Sequence, residues 1–343
     1  MATISSKRIG TFKRNQVDFG RLKKLVFSPK TLATVLLVLF AVLMIVNPKY
    51  YLDATRRGLS LYATTVLPSL FPFYFCAMLL TKIGAAKTLS LMFEKPMKKL
   101  YHTPKESAYI MILSMLSGYP VGASCIKELY LASGISKEDA RAISSFASTS
   151  GPIFILGTLG AAIFQNAAVG AIVLASHYLA AFFNGFIFRN KKDNGDSIVS
   201  VQAQTTDNVL GESVSKSTLA MLTLGGYIVL AGILVDTLSL LGVDKALTRM
   251  LGDNAQPIVA IIFGAVEMTR GTIECSKCDY LPLGIALASL IVSFGGLSVI
   301  LQSHALLSPC GIKLSQIVLR KLTQSVISFV ITFAIAFSFQ RFL

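Results

Sequence analysis

Apolar runs long enough to cross a bilayer alternate with short polar stretches along most of the chain. Residues 31–46 are uninterrupted and close at Asn47-Pro48. Residues 58–80 form a second run, with Pro68 and Pro72 inside it. The spacing predicts further helices over 167–188, 217–241 and 313–339. The chain reads as an all-α polytopic membrane protein.

Four other runs are interrupted. Residues 142–164 carry no charge, yet Ser148-Thr149-Ser150-Gly151-Pro152 lies near their middle. Proline removes a backbone donor and glycine tolerates nearly any dihedral, so the helix is expected to break there. Within hydrocarbon a broken helix persists only where protein buries it or where it lines a polar cavity. Two readings follow: a kink satisfied by neighbouring helices, or a site for a polar solute. Residues 107–131 divide at Ser117-Gly118-Tyr119-Pro120 into two short halves, the pattern of a re-entrant hairpin or a broken span. Residues 257–273 are apolar up to Glu267 and Arg270. Residues 281–301 hold Ser293, Gly295, Gly296 and Ser298 at their centre, with Gln302 just beyond.

These interruptions recur in order. One offset lays Gly151 on Gly295, Ser145 on Ser289 and His177 on Lys321. The expected organisation is a basic tail (1–30), an N-terminal anchor (31–47), a first repeat (58–188), a polar linker (189–216) and a second repeat (217–340). Matching broken segments in two halves point to a transporter's binding site. If residues 107–131 re-enter, the first repeat crosses three times and the two repeats are inverted. The N-terminus is then cytoplasmic and the C-terminus lies on the opposite face.

Composition agrees. Of 343 residues 53% are hydrophobic and 14% charged, against about 25% charged in soluble proteins. The net charge of +15 sits mainly in the tail and in the loop holding Lys82, Lys87, Lys95, Lys98 and Lys99. That is a positive-inside pattern, with anionic lipid headgroups as a partner for the tail, and not a nucleic-acid surface. The lone Cys275-x-x-Cys278 lacks further ligands, so no metal and no cofactor is expected. No paired carboxylates or nucleophile motif mark an enzyme.

The expected substrate-binding residues are Gly118, Tyr119, Pro120, Ser148, Thr149, Ser150, Gly151, Glu267, Arg270, Ser293, Gly295, Gly296, Ser298 and Gln302. Glu267 and Arg270 are three apart and are expected on one helix face. Arg270 is either the fork that grips a carboxylate or an interfacial ion pair. His177 is either a proton relay or a packing histidine. Asp236, near a helix end, is either a coupling-ion ligand or solvated.

The motifs Gly118-Tyr119-Pro120-Val121-Gly122, Ser150-Gly151-Pro152-Ile153-Phe154, His177-Tyr178-Leu179-Ala180, Gly264-Ala265-Val266-Glu267 and Phe294-Gly295-Gly296-Leu297-Ser298 occur together. In this combination the chain resembles the YlbJ-like sporulation integral membrane proteins, of the group carrying the nucleoside-recognition gate domain. The resemblance covers roughly residues 30–340 and implies a role in endospore formation. It implies movement of dipicolinic acid from mother cell toward forespore across the outer forespore membrane. A nucleoside or other small-solute carrier, and a non-transporting scaffold, stay open beside it.

Overall fold

The computed structural model describes residues 28–83, 90–191 and 208–340. The basic tail up to residue 27 and linker residues 192–207 lie outside them. The chain divides between Asp53 and Ala54 into two compact units.

In the first unit, α1 (Pro29–Val46) is apolar on all sides, as a helix in lipid must be. Ser28 caps it by accepting the Thr31 amide, and it stops at Asn47. Helix α2 (Pro48–Leu61) carries the chain across the division. The second unit continues without interruption through a π-helical turn (Tyr62–Val66) into α3 (Leu67–Lys82), which keeps Pro72 in its interior. After α4 (Glu94–Tyr101), α5 (Glu106–Ser117) and α6 (Val121–Leu131) flank the Gly118–Pro120 break, where the Tyr119-Pro120 bond is cis. Helix α7 (Lys137–Ile143) starts on the capping box formed by Ser136 and Asp139. An irregular stretch then leads to a π-helix (Ile153–Ile163) and to α8 (Ala167–Ile187). The other half comprises α9 (Val209–Leu240), α10 (Val243–Leu251), α11 (Ala255–Val266), α12 (Met268–Cys275), α13 (Leu281–Phe294), α14 (Gly296–Leu307) and α15 (Leu314–Ser338). Helix α9 opens earlier than hydropathy suggests. Asn208 caps it and Glu212 sits in its first turn, so the end of the polar linker is helical.

Four of these are long and apolar enough to cross a membrane: α8, α9, the α13–α14 pair and α15. Counting α1 with the helix that follows gives five. The outward faces of α8 and α15 are apolar, with Phe183, Phe186, Val326, Val330 and Phe337 exposed. In water such faces are a liability; in lipid they are the expected surface.

The two short helix pairs fold back on themselves. His102 Nδ1 meets the Asn190 carbonyl at 2.8 Å, and the Asn190 amide donates to Asp139 Oδ1 at 2.7 Å. These bonds tie the approach to α5, the exit from α8 and the start of α7 together. The α5–α6 pair therefore leaves and returns to one end of the bundle, as a hairpin. Residues 257–273 are a second hairpin, α11–α12. Gln256 near its start donates to the carbonyl and carboxylate of Glu274 near its end, at 3.0 and 2.9 Å. Gly264 and Gly271 let the two legs touch, since a Cβ on Gly271 would collide with Gly264. The second hairpin opens at the other end. Its Cys275 and Ala260 share a core cluster with Val169 and Val173 from the beginning of α8, whereas the exit from α8 meets His102.

Candidate functional site

Every hairpin tip and every broken span contributes to one place. A small cavity of about 50 Å³ is lined by Tyr119 from the first tip and by Ser150 and Gly151 from the first broken span. Glu267, Met268 and Thr269 of the second tip and Gly295 and Ser298 of the second broken span complete it. Gln302 and Leu224 also line a larger cavity of about 630 Å³, which runs between α3, α6, α9 and α14. That vestibule carries Lys82, Lys127 and Lys216 against the single acid Glu128. Lys216 is paired with Glu128 at 3.0 Å, and Lys82 with Glu212. No ion pair is recorded for Lys127 among the described residues.

The breaks are built for close approach. Gly118 has φ +81° and packs directly on Gly151, so a side chain at either would push the first tip off the first broken span. Gly296, at φ +71°, lies against the carbonyls of Gly264 and Val266 and seats the second tip on the second broken span. Past Gly151 the helix is wound with i to i−5 bonds, such as Phe164 to Leu159, a form concentrated at functional sites.

Behind the cavity wall lies a buried polar network. Lys321 Nζ donates to Tyr119 Oη at 2.6 Å, to the Ser148 carbonyl at 3.0 Å and to Gln324 Oε1 at 3.3 Å. It also stands 4.4 Å from the centre of the Tyr119 ring. The Tyr119 hydroxyl in turn donates to the Val292 carbonyl at 3.3 Å. The Ser150 amide donates to His177 Nε2 at 2.9 Å, so that nitrogen is an acceptor and Nδ1 donates to Ser293 Oγ at 2.7 Å. His177 is thus a brace between the two broken spans. Thr149 is held by Ser114 of α5 at 3.0 Å.

Of the expected site residues, Tyr119, Ser150, Gly151, Glu267, Gly295, Ser298 and Gln302 line the small cavity, and Pro120 lines the vestibule. Gly118, Ser148, Thr149, Ser293 and Gly296 stand one layer behind, holding the breaks in place.

Arg270 stands apart from these residues. Its side chain lines neither cavity and donates to Asp236 Oδ1 at 2.9 Å, while Arg57 takes Oδ2 at 3.0 Å. The expected shared helix face with Glu267 is also absent. Glu267 is extended, at φ −142° and ψ 120°, and caps α12 by accepting the Thr269 and Arg270 amides at 3.0 and 2.8 Å. A capping carboxylate points down the helix start, whereas Arg270 lies inside the first turn and leans outward. Asp236, only 5% exposed, is neither solvated nor a free ion ligand but the centre of this clasp. Sequence reasoning passed over Lys321 and Gln324. The one signal was the offset that laid His177 on Lys321; both belong to this network.

Comparison with known proteins finds a relative of the kind the motifs resemble. The chain is 26% identical over 315 residues to the sporulation integral membrane protein YlbJ of Bacillus subtilis (strain 168), covering 82% of this chain and 77% of that one. The likeness runs through most of both chains. No family model matches it, and no solved structure matches it. The described helices give the chain itself a polytopic membrane build.

Proposed function

We propose that this protein carries a small organic anion across a membrane, and that the anion is dipicolinate, moved from mother cell toward forespore across the outer forespore membrane. The observation that carries the reading is the meeting of four chain breaks, two from each half, at one cavity with a lysine-lined approach. A scaffold has no use for such breaks, each of which gives up helical hydrogen bonds in a medium that cannot replace them.

An anion enters along the vestibule past Lys127, Lys82 and Lys216. Its carboxylates meet the amide-rich breaks at Ser150–Gly151 and Gly295–Gly296, where helix starts carry partial positive charge. Lys321 adds a full charge one layer behind Tyr119. Glu267 satisfies the start of α12, so that end is not available to the solute. The vestibule lies toward the end where α5 begins, and the Arg57–Asp236–Arg270 clasp holds the opposite side. The described arrangement is therefore one phase of an alternating cycle.

An inverted repeat gives this cycle its symmetry. The offset that pairs Ser145 with Ser289 also pairs Asn184 with Ser328. The Asn184 side chain donates to the Ser145 carbonyl at 2.7 Å, and Ser289 meets Ser328 at 2.7 Å. The two hairpins open at opposite ends, as inversion requires.

One observation favours a second solute class. Gln302 Oε1 is buried without a partner among the described residues, beside Glu267 and Ser298. Such acceptors suit a neutral donor such as a nucleoside. Uptake of labelled dipicolinate into vesicles holding the purified protein, with nucleosides as competitors, separates the two. Dipicolinate uptake that exceeds protein-free vesicles and resists nucleosides is expected. Nucleoside uptake without dipicolinate uptake selects the second reading, and uptake of neither overturns transport.

A further inference from the structure

Lys321 is 2% exposed, and no carboxylate pairs with it among the described residues. An unpaired ammonium in such a place is costly unless its donors are fully used. They are used entirely on oxygens: Tyr119 Oη, the Ser148 carbonyl and Gln324 Oε1, at 2.6 to 3.3 Å, with the Tyr119 ring as a fourth face. A hydroxyl, a backbone carbonyl and an amide oxygen around one positive centre make up the donor set of a hard monovalent cation. These oxygens come from three separate places: the first hairpin tip, the first broken span and α15. The cation is what joins them.

We propose that the Lys321 ammonium is a tethered cation, permanently filling an oxygen-lined site that without it would take up a free monovalent cation. The native protein then needs no exchangeable cation to lock the first tip against the first broken span. Removing the ammonium turns the structural lock into a binding site. The Gln324 amide nitrogen is buried without a partner among the described residues, so the bond to Lys321 is what sets which end of that side chain faces the cation. Its oxygen faces Lys321, and turning it would leave the site one oxygen short.

The test uses the full-length protein purified in detergent and reads thermal unfolding at constant ionic strength, in choline, sodium, potassium or methylammonium chloride. Native protein is expected to melt at the same temperature in all four. Lys321→Ala is expected to melt lower in choline and to regain most of the loss in at least one of the small cations, because a ligand that binds only the folded state raises its stability. Lys321→Ala/Gln324→Leu lacks one oxygen and should regain less. Where Lys321→Ala does not fold in choline, Lys321→Met, which keeps the apolar stem, takes its place, and purification in methylammonium chloride is expected to rescue yield for both. Equal melting of the lysine variants in choline and in every small cation overturns the proposal. So does selective stabilisation of the native protein by sodium or potassium, which would mean that a separate exchangeable cation does this work. Neither readout depends on which solute the protein carries.

Discussion

Asp236 shows how far a residue's role depends on what surrounds it. Its two guanidinium partners are unequal to it in burial: the Arg57 and Arg270 side chains are 52% and 37% exposed, and Asp236 is the buried member. Losing one arginine leaves the carboxylate paired; losing both leaves a buried charge with neither of them. Arg57→Ala combined with Arg270→Ala is therefore expected to destabilise by more than the two single changes added together, a coupling read from a double-mutant cycle of melting temperatures. Arg270→Ala alone should leave equilibrium binding of dipicolinate unchanged and raise labelling of a cysteine at Ser298 from the clasp side. A collapse of binding in that variant would return Arg270 to the solute site. Sequence placed the breaks correctly because glycine and proline announce them locally. It could not place Arg270 or Lys321. An arginine three residues after a glutamate reads as its helical neighbour, and only the extended backbone at Glu267 undoes that. Lys321 reads as a cation near a helix end, because its partners Tyr119 and Ser148 are remote in the chain.

At the level of elements, the informative units are hairpins shorter than the membrane is thick. Hydropathy registers their apolar legs but not that they double back. The return is held by contacts such as Gln256 with Glu274, which no periodicity encodes. The second hairpin depends on two glycines facing one another. Gly271→Ala puts a methyl into the Gly264 backbone, which has nowhere to go. Overpacking of this kind costs about 1–3 kcal/mol, and the expected result is a lower melting temperature and a smaller monodisperse peak in detergent. Gly232→Ala, in α9 with open space around it, should match the native protein or exceed it slightly. Equal behaviour of the two variants would mean that the hairpin legs are not packed as described.

For the whole molecule, hairpins that open at opposite ends demand opposite sidedness. Lys191, after α8, and Lys277, after α12, are both exposed and lie near the bases of the first and second hairpins. With the native cysteines replaced, a cysteine at Lys191 should react with an impermeant maleimide only from the cytoplasmic side, and one at Lys277 only from the other. Reaction of both from one side would exclude the inverted arrangement. The polytopic class was legible from apolar runs and lysine placement alone, since both follow from transfer energies that act residue by residue. The convergence of four breaks on one cavity was legible only as an expectation, because it depends on how separate segments pack.

The bond from Lys321 to Tyr119 spans 202 positions of sequence. A ribosome adding about 5–20 residues per second needs roughly 10–40 s to cover that interval. Throughout it the first hairpin tip has been made and the lysine that holds it has not. The early half must therefore wait in the membrane with an exposed polar loop, shielded by the insertion machinery or by water drawn in from one side. The final helix does more than close the bundle: its arrival is the moment at which the first tip gains its cation.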